Sequence, residues 1–89
     1  MTREEVVEKG YEKAKKVVDR MLDGHGENEQ EFVKITRALT LEIDIVDGIE
    51  IQIYAVRDGA DMDGCTNMFS KYDTEKIYDD IRYLLNCWV

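Results

Sequence analysis

The chain has 89 residues, with 20 Asp and Glu against 12 Lys and Arg, and a formal net charge of −8. That length bounds it to one domain, residues 1–89, with a thin core. The acidic excess opposes nonspecific nucleic-acid binding and favours cationic partners. Apolar residues make up 44% and Pro is absent, which excludes a disordered acidic tail.

The start, MTREEVVEKG, is charged and has no apolar signal-peptide core. A cytoplasmic location is therefore expected. No run approaches the roughly 18 apolar residues of a membrane-spanning helix. Thr2 and Glu5 form a capping box, and an amphipathic helix follows. Val6, Val7, Tyr11, Ala14, Val17, Val18, Met21 and Leu22 fall in one arc; Glu8, Glu12, Lys16, Asp19 and Asp23 lie opposite. Glu12 and Lys16 stand in the favourable acid-first i,i+4 order. Gly10 lies inside the apolar arc, where it weakens the helix, so close backbone packing is expected there. Gly24 ends the helix, and GHGENEQ is a polar loop.

From Phe32 to Ile45 the period becomes two. Val33, Ile35, Leu39, Leu41, Ile43 and Ile45 share one parity; Lys34, Thr36, Thr40, Glu42 and Asp44 share the other. This reads as one long strand, interrupted in parity by Arg37, which marks a bulge, the end of the covered zone or a charged edge. The overhang Phe32–Arg37 then needs a partner, either a third strand or a second copy of the chain. A second strand follows, with Ile49, Ile51, Ile53 and Ala55 on one face and Glu50, Gln52, Tyr54 and Val56 on the other.

A two-residue Asp47-Gly48 turn would set apolar side chains opposite polar ones. Apolar matching instead pairs Ile45 with Ile49, Ile43 with Ile51, Leu41 with Ile53 and Leu39 with Ala55. That register requires the three-residue loop Val46-Asp47-Gly48, a type I turn with a G1 bulge and Gly48 left-handed. A slip by one residue would expose four Ile or Leu side chains, each contributing about 1.5–3 kcal/mol when buried.

RDGADMDGCTNMFSKY is a Gly- and Asp-rich loop with a short third strand expected around Thr66–Ser70. Asp73 then caps a final helix. Its apolar face is Thr74, Ile77, Tyr78, Ile81, Leu84, Leu85 and Trp88, with Glu75, Lys76, Asp79, Arg82, Tyr83 and Asn86 facing away. Trp88 is expected to close the core edge, with an interface anchor as the other reading. The predicted fold is α+β: two layers in the order α-β-β-(β)-α, an antiparallel sheet with two amphipathic helices on one face.

Few residues here can carry chemistry. The predicted register puts Asp44 opposite Glu50 and Glu42 opposite Gln52 on the face away from the core, with Asp47 at the turn tip. Carboxylates at i and i+2 on a strand lie about 6.5–7 Å apart, close to the phosphate repeat of a nucleic-acid strand. Such a face suits a basic site on a partner, including one built for nucleic acid; a solvated face kept from aggregating by charge is the plainer reading. Tyr54 and Val56, beside Thr40 and Ala38, would add an apolar anchor. DGADMDG departs from a calcium loop, with Gly59 at its first position and Ser70 at its twelfth. His25 is the only histidine, and Cys65 and Cys87 are far apart. The two are expected as reduced thiols, a Cys65–Cys87 bridge being the alternative. No catalytic constellation, phosphate loop, metal site or cofactor site is predicted, and so no enzyme.

With its single short domain, strong negative charge and acidic hairpin LEIDIVDGIE, the chain resembles in general character the small acidic anti-CRISPR inhibitors of phages and mobile elements. The resemblance implies a bacterial or phage-infected host cell, and an inhibitor, in some cases a DNA mimic, seated in the basic cleft of a nuclease or CRISPR effector. It assigns no individual residue. The expected function is accordingly an acidic protein-binding inhibitor, with Glu42, Asp44, Asp47, Glu50, Gln52 and Tyr54, joined by Asp58, Asp61 and Asp63, as partner-binding residues. Direct nucleic-acid or membrane binding is not expected. One alternative is a nucleotide-binding sponge, using a dimer pocket on which Arg37, Arg57 or Lys71 converge. Another is an accessory or immunity-type subunit that docks by an apolar helix edge.

Overall fold

The structure is a computed structural model that describes residues 1–23, 29–61 and 67–89, with residues 61 and 67 described by their backbone alone. Helix α1 (Arg3–Asp23) begins where the capping box places it. The Thr2 amide donates to Glu5 Oε1 at 3.3 Å and the Glu5 amide to Thr2 Oγ1 at 3.2 Å. Five strands follow: β1 (Glu29–Lys34), β2 (Leu39–Val46), β3 (Glu50–Arg57), β4 (Ala60–Asp61) and β5 (Asn67–Ser70). Helix α2 (Thr74–Trp88) follows; Asp73 stands at its N-cap position, as expected, but its side chain makes no capping hydrogen bond. The antiparallel sheet runs β1-β2-β3, and β4 and β5 share the far edge of β3. Both helices pack on the same face of it, so the fold is a two-layer α+β structure.

The polar loop GHGENEQ is shorter than expected, since Glu29 and Gln30 already belong to β1, and three further sequence expectations need correction. The long first strand is in fact a hairpin of β1 and β2, pairing Val33 with Leu41 and Phe32 with Glu42. The overhang thus finds its partner in its own chain. Arg37 is exposed in the turn. The reversal is held by Thr36, whose Oγ1 accepts from the Ala38 and Leu39 amides at 3.3 and 3.0 Å, and by Ile35 N donating to Leu39 O at 2.9 Å. A Ser/Thr hydroxyl that captures nearby amides makes a turn without Gly or Pro.

The β2–β3 register is the second correction. The structure pairs Ile45 with Ile51, Ile43 with Ile53, Leu41 with Ala55 and Leu39 with Arg57. The loop again has three residues, Asp47-Gly48-Ile49, so the parity of both strands is as expected but every pair is displaced by two positions. Asp47 and Gly48 both have positive φ, 55° and 69°, and the Ile49 amide donates to Val46 O at 3.2 Å. That is the primed turn, whose twist matches the strands, rather than the type I turn expected. The third correction follows: Ile49 is the extra residue and is 55% exposed, not in the core.

The core lies between the sheet's inner face and the helices. Leu39, Leu41, Ile43, Ile51 and Ile53 are wholly inaccessible, as are Ile77, Ile81, Leu84 and Leu85 of α2 and Val18 of α1. Trp88 is half-buried against this core and Phe69 of β5 joins it, as expected of Trp88 and of the third strand. Gly10 is the close approach its sequence position implied. A Cβ there would lie 3.1 Å from Ile35 Cγ2 and 3.3 Å from Leu85 Cδ2. Asp80 is also buried, which the spacing of α2 did not single out.

Helices α1 and α2 run antiparallel, joined by polar contacts along the seam. Arg82 pairs with Glu8 at 3.1 Å and stacks 4.0 Å over the Tyr11 ring. Glu12 and Lys16 form no ion pair among the described residues; Arg20 instead reaches Glu31 of β1 at 2.9 Å. Tyr78 donates a hydrogen bond to Asp19 Oδ1. This bond, with burial and the carboxylate charge, pushes the Tyr78 phenol from its ordinary 10.0 up to about 12. A raised folded pKa means the bond's contribution to stability is intact below pH 10.0 and is lost as pH rises through about 12. In a phenolate absorbance titration, one ionisation step should fall near that value. Tyr78→Phe should delete that step and Asp19→Asn should move it down; an unchanged profile in both would refute the assignment.

Candidate functional site

With both helices on one side, the other face of the sheet has no helix over it. Alternation brings the even-numbered residues of β1, β2, β3 and β5 to this face. One row across it reads Gln30, Asp44, Gln52, Met68, and the next reads Phe32, Glu42, Tyr54. Lys34, Thr40 and Val56 form a third row. Adjacent members of a row are about 4.8 Å apart, and Glu42 and Asp44 stand about 7 Å apart along β2. The two carboxylates therefore sit at the middle of the face. Around them are Phe32 and Met68, 60% and 46% exposed, and the half-buried Tyr54 and Val56.

The corrected register changes the electrostatics of this face. Asp44 lies opposite Gln52, not Glu50, and Glu42 lies opposite Tyr54, not Gln52. No like-charge pair opposes across β2 and β3, which removes a destabilising contact that the predicted register carried. Gln30 Nε2 donates to Glu42 Oε2 at 3.4 Å, and Tyr54 donates its hydroxyl hydrogen to Gln52 Oε1 at 2.7 Å. Asp44 Oδ1 has almost no accessible surface and, among the described residues, no hydrogen-bond partner.

The nine predicted partner-binding residues do not form one patch. Glu42, Asp44, Gln52 and Tyr54 are brought together at the centre. Glu50 pairs with Val46 and Ser70 at the start of β3, next to Asp47 in the turn. Asp58 lies past the other end of β3 with φ 53°, beyond a strand about 24 Å long from Glu50 to Arg57 at ~3.4 Å per residue. Asp61 is in β4, its backbone paired with Val56, and Asp63 lies outside the described residues. So do Gly24, His25, Cys65 and the Gly64 end of the calcium-like loop; Cys87 is an exposed free thiol.

Of the cations of the nucleotide-sponge reading, Arg57 and Lys71 lie at opposite ends of β3, and Arg37, in the β1–β2 turn, is at the Arg57 end, where the Asp58 amide donates to Ala38 O at 2.9 Å. Arg57 is bonded to the Trp88 carbonyl at one end of β3. Lys71 follows β5 at the other end, its amide on Ile49 O and its ammonium 5.3 Å over the Tyr72 ring. Among the described residues no group of three or more His, Cys, Asp or Glu is placed to hold a metal ion, and no helix is long and apolar enough to cross a membrane.

Gln30, Phe32 and Met68 are members of this face that sequence reasoning did not name, Gln30 having been read as part of a polar loop. Phe32 shares parity with Lys34 and opposes Val33, so its outward direction was available once the β1–β2 turn is known. Met68 required the pairing of β5 with β3. Comparison with protein-family models, with curated proteins and with solved structures returns no match for this chain.

Proposed function

We propose that the chain is a small acidic protein-binding inhibitor that docks the open face of its sheet onto a basic site of a partner protein, in the manner of an anti-defence or anti-CRISPR inhibitor. The observation that carries this reading is the arrangement of that face: Glu42 and Asp44 at its centre, framed by exposed Phe32 and Met68 and by Tyr54 and Val56. Interfaces combine apolar and aromatic anchors with a few placed charges. The net charge of −8 adds long-range steering toward a cationic cleft, including one that holds nucleic acid.

The test is affinity capture from bacterial and phage-infected lysates at about 50 mM and about 500 mM salt, where screening differs severalfold in range. The wild-type chain and a Glu42→Lys, Asp44→Lys chain are compared by mass spectrometry. A basic protein retained by the wild type at low salt only, and lost with the double variant, supports the reading. Retention that ignores the double reversal ends it.

A further inference from the structure

The opposite, helix-covered side of the molecule carries the reverse charge along one edge. Lys9, Lys13, Lys16 and Arg20 recur at i, i+4, i+7 and i+11 and so form a single stripe on α1. Two contacts pin that stripe alongside β1, the outer strand of the sheet. Arg20 meets Glu31 at 2.9 Å, and Lys13 Nζ donates to Lys34 O at 2.9 Å. Seven residues of helix and three of strand each span about 10 Å, so the stripe and the strand keep in step, antiparallel, over that length. Arg20 is occupied by Glu31 and Lys13 also donates to the Lys34 carbonyl, but Lys9, Lys13 and Lys16 are all exposed; the acidic residues on this side are Glu12 among them and Glu29 and Glu31 of β1, Glu31 being held by Arg20.

Among the described residues, strand β1 is paired on one side only. The bond from Ile35 N to Leu39 O sets the alternation: odd-numbered residues of β1 bond toward β2 and even-numbered ones point their amide and carbonyl outward. Among the described residues no backbone group pairs with the outward amides and carbonyls of Gln30 and Phe32. The edge ends at an open pocket of ≈ 430 Å³ lined by Val6, Lys9, Lys13 and Ile35, among others.

We propose that this edge takes an extended acidic peptide as an added strand. Its backbone pairs with Gln30 and Phe32. Alternation then sends one set of its side chains toward α1 and the other toward the open face. The set facing α1 meets Lys9, Lys13 and Lys16 and must be acidic. The set on the open face lies beside the Phe32 ring and must be apolar. The recognised sequence is therefore an alternation of Glu or Asp with aliphatic residues. A second copy of this chain is the poorer occupant, because antiparallel edge pairing would bring its lysine stripe against this one. The inference does not rest on the sheet-face reading above: the two share the Phe32 ring, but this one uses the free backbone edge of β1 and the lysine stripe, of opposite charge.

The probe is fluorescein-labelled acetyl-Glu-Val-Glu-Val-Glu-Val-amide, followed by anisotropy at low salt. It should bind at least about tenfold more tightly than the peptide with Lys in place of Glu, and than the peptide with Pro at its central Val, which cannot complete the ladder. Lys13→Glu with Lys16→Glu should weaken it by a similar factor, and Lys9→Glu, which lies beyond the Lys34 end of the strand, by less. Hydrogen exchange should show the Gln30 and Phe32 amides protected only when peptide is present. Absence of binding at about 1 mM peptide, equal binding of the Pro peptide, or concentration-dependent protection of those amides in the free chain, which signals self-pairing, each overturns the proposal.

Discussion

Ile53→Ala should destabilise the domain by about 2–5 kcal/mol, the range for removing a fully buried Ile. A chain of 89 residues has a total stability of only about 4–13 kcal/mol at ~0.05–0.15 kcal/mol per residue, so this one change removes a large share. The reason is position. Ile53 has no accessible surface, lies opposite Ile43 of β2, and belongs to the strand on which α2 packs. A cavity there cannot be closed from one side without moving a helix. Tyr54 is the next residue on the same strand but points to the open face, and Tyr54→Ala should cost distinctly less. Urea midpoints of the two variants make the comparison. Equal losses at both positions would mean that the two faces of the sheet are covered alike.

The second large effect concerns binding. Glu42→Lys with Asp44→Lys should lower affinity for the basic partner by at least about a hundredfold, while the melting temperature changes by a few degrees at most. Both side chains lie on the open face and neither contributes to the apolar core. Asp44 Oδ1 loses no hydrogen bond when it is replaced. Reversing Asp47 and Glu50, or Asp58, should do far less. Those residues sit at the two ends of β3 and away from the apolar frame of Phe32, Tyr54 and Met68. A surface that works by net charge alone would respond equally to all three reversals. Titrations of the captured partner against the three variants therefore separate a shaped face from a merely acidic one.

Much of the architecture was legible because it rests on periodicity. Parity sorted inner from outer residues on every strand, and the 3.6-residue period sorted the helix faces. These patterns survive local error: the β2–β3 register is displaced by two from the expected one, yet the same isoleucines face inward, Ile49 excepted. What could not be read depended on turn chemistry. The Ile35–Ala38 reversal contains no Gly, Pro, Asn or Asp; Thr36 makes it with its side chain, and only the parity break at Arg37 hinted at it. The register was misjudged because apolar matching permits both registers, and the positive φ of Asp47 as well as Gly48 selects one. Of the candidate site, Glu42 and Asp44 were found, but their neighbours were not, since Phe32 and Met68 come from strands whose pairing the sequence left open. The lysine stripe was divided among helix positions and gained meaning only beside a free strand edge.

Arg3 has a consequence for how the chain is connected. Its guanidinium bonds to the Asn86 carbonyl and, through Nε at 3.1 Å, to the Val89 carbonyl, residues 83 and 86 positions away. The first turn of α1 and the last turn of α2 thus lie side by side, and the polypeptide is close to a closed ring. A linker of about four to six Gly and Ser residues is long enough to join Val89 to Met1. The ring can then be reopened at the Asp47-Gly48 tip, where Asp47 is exposed and Gly48 only partly covered. Such a rearranged chain should still melt in one cooperative transition, at a lower temperature because the β2–β3 pairing has lost its covalent turn. A broad, non-cooperative melt would show that this turn is needed to assemble the sheet and not only to set its register.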